Sequence, residues 1–178
     1  MPSKVEKEIL HLAETLLNTK THKHKHKHNS NQENNPEDFT DTQKFLLQSL
    51  ENEKNHEIQK FSFQELQTHK EHVLSQLQLD KQLLKHFLKT LKDYRYVDEL
   101  TDIREGCYSR WIPLNKNQIT LTKGGILCEI KITNDNVILV FKNNMNRFFQ
   151  CNMANVLLFQ KLTDQEQIIL YAMHVLQN

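Results

Sequence analysis

The sequence predicts an α+β protein, a helical first half followed by a small antiparallel barrel, and three observations carry that prediction. Glycine is confined to Gly106, Gly124 and Gly125. Residues 37–105 contain neither Gly nor Pro, so nothing there punctuates a helix. From Tyr94 onward Ile, Val, Tyr, Phe and Thr gather in short runs separated by turn-forming residues.

Residues 1–20 are expected to form a short amphipathic helix, because Val5, Ile9, Leu12, Leu16 and Leu17 recur at helical spacing between Lys and Glu. The next stretch, THKHKHKHNSNQENNPED over 21–38, has no large apolar residue and cannot bury enough surface to offset the entropy of ordering. Residues 21–41 are therefore expected to be a disordered linker rich in His, Lys and Asn.

Residues 42–92 read as a helical region. Asp41 or Thr42 can cap a helix through Phe45, Leu46, Leu47 and Leu50, whose far end is blurred by the polar run at 51–57. Ser62 and Glu65 have the spacing of a capping box for a helix expected over 63–92, about 45 Å long at the standard rise. Leu66, Val73, Leu77, Leu84, Phe87 and Leu91 trace a heptad seam along it, interrupted by Lys70 and Asp80. Two arrangements satisfy that face: a hairpin with the 42–60 segment, or a homo-oligomer that pairs two chains through the seam.

Residues 93–178 are expected to form the barrel and its capping helix. Strands are predicted at 107–114, 118–122, 126–133, 137–142, 147–151 and 156–161, with turns at 123–125, 134–136 and 143–146. Simple alternation in ILCEIKI sets Ile126, Cys128, Ile130 and Ile132 on one face against Leu127, Glu129 and Lys131. The run VILVF is apolar on both faces and needs cover. A second capping box, residues 163–166, opens a last helix whose Ile168, Ile169, Ala172, Met173 and Leu176 form one broad apolar face, expected to seal the barrel. Five or six strands in this length fit an SH3-like barrel, in preference to an OB-like one, better than a sandwich.

Composition narrows the function classes. Basic and acidic side chains number 23 and 22, a net charge of +1, without the overall basic excess usual in nucleic-acid proteins. Locally, residues 94–162 hold nine Lys or Arg against six Asp or Glu. No apolar run approaches the roughly 18 residues of a membrane span, and the N-terminus carries charge where a secretory signal is apolar. The expectation is a soluble intracellular protein with no membrane partner. Cys107, Cys128 and Cys151 are odd in number and lack CxxC spacing, which fits a reducing compartment and small buried side chains better than a zinc site completed by His174.

Three constellations stand out. His22, His24, His26 and His28, alternating with Lys, are candidate metal ligands and a candidate pH-dependent cationic arm, the plainer reading being a solvated low-complexity linker. Arg95, Tyr108, Arg110, Lys142, Arg147 and Phe148 are candidates for an aromatic and basic face that stacks bases and neutralises phosphates, the plainer reading being core aromatics and surface cations. Leu66, Val73, Leu77, Leu84, Phe87 and Leu91 are the candidate oligomer seam. A nucleophile elbow, a glycine-rich phosphate loop, HExxH and a framed carboxylate pair are all missing, so the chain is not expected to be an enzyme and no cofactor is expected.

The stretch from YRYVDELTDIREGCYSRWIPL through LTKGGILCEIKI and KNNMNRFFQ to LLFQKLTDQEQIILYA, within 94–176, resembles an uncharacterised domain in proteins of large double-stranded DNA viruses. The resemblance implies a viral accessory protein, located in host cytoplasm or virion, and brings no catalytic or binding residue. The expected function is a non-enzymatic module that binds nucleic acid or a protein partner that processes it. The alternative is a scaffold, such as a minor virion component, oligomerising through the long helix.

Overall fold

The computed structural model describes residues 41–115 and 118–177. The expected first helix, the linker up to residue 40 and the histidine tract lie outside them. The helices are α1 (Asp41–Glu51), α2 (Phe63–Ser75), α3 (Lys81–Thr90) and α4 (Asp164–Gln177). The strands are β1 (Tyr94–Val97), β2 (Tyr108–Pro113), β3 (Gly125–Ile132), β4 (Val137–Lys142), β5 (Phe148–Asn152) and β6 (Val156–Lys161). No described helix is long and apolar enough to cross a membrane.

The chain divides into two compact units that do not follow the boundary expected near residue 92. Residues 41–63 and 164–177 form the first, in which α4 packs on α1 and on the 3-10 turn Ile58–Lys60. Polar groups set its register: the Asn52 and Asn55 amides both donate to Gln165 Oε1, at 2.8 and 3.0 Å, and Asn55 also donates to the Ser49 carbonyl. Phe63 meets Tyr171 edge-on at 5.3 Å.

The second unit, residues 64–163, holds α2, α3 and one antiparallel sheet of order β1-β6-β2-β3-β4-β5. β1 and β5 each pair on one side only, so the sheet is open where a closed barrel was expected. Its inner face is a single apolar cluster in which Trp111 stacks on Phe141 at 4.4 Å, with Leu127, Leu139, Leu158 and Val97 around them. The outer face of β1, β6 and β2 is covered instead by the helices, where Leu74, Phe87 and Leu91 bury Ile112 and Phe159.

The helix expected over 63–92 is two helices. Gln78 adopts φ 50° and Asp80 caps α3, accepting from the Gln82 and Leu83 amides at 2.9 Å each. The acidic residue that interrupts the heptad is thus a helix start, satisfying amides a continuous helix would not leave free. The two helices are held to the sheet by Lys70. Its buried ammonium donates to the carbonyls of Leu91 at 2.7 Å and Tyr94 at 3.0 Å, tying the end of α3 and the start of β1 to α2.

Three strand expectations need correction. Residues 118–122 form no strand; Ile119 and Leu121 pack on the helical cluster, and in place of a ladder the Thr122 amide donates to the Trp111 carbonyl and the Trp111 amide to the Thr122 hydroxyl, each at 3.0 Å. β1 forms where no strand was expected, with Arg95 and Val97 inward and Tyr94 and Tyr96 outward. In β3 the register slips between Leu127 and Glu129. This bulge at Cys128 puts Leu127, Ile130 and Ile132 on the inner side and Ile126, Glu129 and Lys131 on the outer, where simple alternation had divided them otherwise.

Candidate functional site

The outer face of β3, β4 and β5 carries no helix of its unit, and a cross-strand row there collects half of the aromatic and basic candidates. Tyr108 on β2 stands opposite Ile126 on β3, Ile126 opposite Lys142 on β4, and Lys142 opposite Phe148 on β5. Directly opposed side chains lie about 5 Å apart, so these four form a continuous strip. Phe148 is 64% exposed and Ile126 45%, unusually bare for such side chains. The Lys142 ammonium lies 5.7 Å from the Phe148 ring centre, in reach of its π face.

Local chemistry sets the row. Gly124 has φ +91°, and a Cβ there would collide with the Ser109 carbonyl oxygen, so only glycine lets the chain turn against β2 and bring Ile126 opposite Tyr108. The Tyr108 hydroxyl donates to the Lys123 carbonyl at 3.0 Å, which fixes that ring beside the turn. At the other end the Asn143 side chain accepts from the Met145 and Arg147 amides, closing the β4–β5 turn and placing exposed Arg147 next to Phe148.

The remaining candidates lie elsewhere. Arg110 is on the same outer face one row nearer the helices, its guanidinium 5.9 Å from the Tyr94 ring centre. Burial pushes the Tyr94 phenol above its ordinary range, and Arg110 partly draws it back. Arg95 is buried on the inner side, where it donates to the Asp102 carbonyl at 2.6 Å and has no access to a ligand on the outer face. Beside it Gln160 accepts from the Arg104 amide and donates to the Arg104 carbonyl, both at 2.9 Å, which pins the connection from β1 to β2.

Leu66 and Val73 on α2 are buried, and Phe87 on α3 and Leu91 at its C-cap are buried in the helical cluster with Leu77 and Leu84 packed against them, so those last four serve the interior of the second unit. The candidate ligands His22, His24, His26 and His28 lie outside the described residues. Among the described residues no three His, Cys, Asp or Glu side chains gather to hold a metal. Cys128 is exposed at the bulge, and burial pushes the Cys151 thiol up to about 11.

No family model, curated protein or solved structure matches this chain. The site therefore rests on its own geometry. Ile126 was missed from sequence because alternation alone grouped it with Ile130 and Ile132; the Gly-Gly turn before it was the local signal, and the bulge after it shows only in the pairing with β4.

Proposed function

We propose that the chain is a non-enzymatic binding module that engages single-stranded nucleic acid, or a nucleic-acid-processing partner, through the outer face of β2 to β5. The observation that carries this reading is the Tyr108, Ile126, Lys142, Phe148 row: two aromatic side chains and a cation on a rigid sheet, with Arg147 at its end. Aromatic faces stack bases of any sequence while nearby cations neutralise phosphates. A viral-type accessory role accompanies this reading on the strength of the sequence resemblance alone.

An SH3-like description of the sheet belongs to the same proposal. It is supported by a meander from β2 to β5 that returns through the 3-10 turn Met153–Asn155 to pair β6 with β2. The scaffold reading needs a free seam on one long helix, whereas the seam is split between α2 and α3 and four of its six residues are buried, so no observation favours it.

The test is binding of labelled single-stranded DNA and RNA, with duplex controls, to the full chain across a salt series. Affinity is expected to fall with salt by about 0.7 decade per decade for each phosphate neutralised, and Lys142→Ala to reduce that slope by about one contact. Absence of binding at low salt, or a slope unaffected by Lys142→Ala, contradicts the proposal.

A further inference from the structure

At one end of the sheet β1, the β3–β4 turn and the β5–β6 connection meet. An open groove of about 550 Å³ is lined there by residues 96–98, 114, 133–137, 152–154, 156 and 157. Its lining includes two carboxylates, Asp98 and Asp135, and not one Lys, Arg or His. Between them Val97, Met153 and Leu157 supply apolar surface. The groove thus pairs an aliphatic floor with an anionic rim, the reverse of the aromatic and basic row on the outer face.

Its walls are braced. The Thr133 hydroxyl and amide both bond the Asn136 carbonyl, at 3.0 and 2.9 Å, closing the turn that carries Asp135. The Asn152 side chain accepts from the Ala154 amide at 3.0 Å and donates to the Asn136 side chain, which links that turn to the 3-10 turn opposite. Tyr96, on the third wall, is held edge-on against His69 at 5.2 Å and tilted against Phe159 at 5.6 Å. A groove held open in this way spares a ligand the cost of ordering it.

We infer that this groove binds an extended lysine- or arginine-bearing segment of a partner protein. Such a side chain has an aliphatic stem that matches the floor and a cationic head that matches the two carboxylates. Phosphate-bearing ligands are disfavoured there by the same charges, so this site and the proposed nucleic-acid face would work on different partners. Charge complementarity, rather than apolar area alone, selects the occupant.

The test uses the full chain and two labelled probes: an acetylated octapeptide alternating Lys and Leu, and the same peptide with Glu in place of Lys. The Lys peptide is expected to bind and the Glu peptide to fail. Asp98→Asn with Asp135→Asn, both exposed and isosteric, is expected to weaken the Lys peptide by about tenfold or more while single-stranded DNA binding and the unfolding midpoint stay unchanged. Equal binding of both peptides, no binding of either, or indifference to the double substitution overturns the inference. So does tighter binding of the Lys peptide when Lys20, Lys23, Lys25 and Lys27 are replaced by Ser, because that result assigns the groove to this chain's own tract.

Discussion

On the outer face of β1, β6 and β2, Tyr94, Tyr96, Phe159 and Ile112 pack beneath α2 and α3, whereas on the same face of β3, β4 and β5 Ile126 and Phe148 stand in solvent. The sheet is continuous across the two halves and the inner cluster beneath it is shared. What differs is the cover. A side chain of one chemical type therefore stabilises the fold in one half and is free to meet a ligand in the other. Full burial of a Phe or Ile is worth about 1.5–3 kcal/mol, a stabilisation that the bare half forgoes.

Substitution of one phenylalanine in each half breaks the comparison most sharply. Phe159→Ala is expected to cost about 3–5 kcal/mol by urea denaturation, since Phe159 is fully buried against Leu74, Phe87 and Ile112. Phe148→Ala should change stability by no more than about 0.5 kcal/mol. Equal costs would mean that Phe148 is covered in solution.

Lys70 comes next, because the helical cover hangs on it. Replacing it with Met removes the donor from the Leu91 and Tyr94 carbonyls and is expected to cost about 2–3 kcal/mol at neutral pH. Burial holds the Lys70 ammonium below its ordinary value of 10.5, opposed in part by Asp93 and Glu71. Between that lowered value and 10.5 the unfolded chain keeps a proton the folded chain has shed, so this group makes stability rise with pH across the window and fall as pH drops through it. Subtracting the Lys70→Met profile from wild type, which cancels the opposite contributions of Tyr94 and Tyr96, should leave that rise.

A smaller effect is expected at the break between the helices. Asp80→Ala removes the cap from two α3 amides and should cost about 1 kcal/mol, read as a lower denaturation midpoint. If the two helices were one in solution, the same substitution would stabilise, because Ala is the better residue inside a helix.

The two faces of the sheet can be separated without any loss of stability by thiol labelling. Iodoacetamide at pH 8 should modify exposed Cys128 well before Cys151, whose burial both hides the sulfur and suppresses its thiolate. Mass spectrometry of labelled peptides reads the order, and the two should react alike once the chain is unfolded.

The contrast between covered and bare halves was only partly legible in the sequence. The helix starting at Asp164 and five of the six strands followed from capping residues, alternation and turn residues, all of them local signals. Tyr108, Lys142 and Phe148 were legible as candidates for the same reason, and their sharing one row depended on pairing partners that no single strand encodes. The bulge at Cys128 is likewise a property of the pair β3 and β4, so alternation placed Cys128 inward. Asp80 read as a flaw in a heptad because an N-cap and a polar interruption look alike until the backbone turns at Gln78. Arg95 looked like a surface cation; its burial follows from the carbonyl of Asp102, which the connection after β1 brings to it.

The most direct measurement of the central claim is photo-crosslinking of a single-stranded oligonucleotide carrying 5-bromouracil to the full chain, followed by peptide mapping. Crosslinks at Tyr108 or Phe148, lost for the second in Phe148→Ala, are the predicted result, with stacking contacts worth about 1–3 kcal/mol each. Crosslinks confined to the 22–28 tract or to α2 and α3, with none on the sheet, would contradict the assignment of the bare half as the binding face.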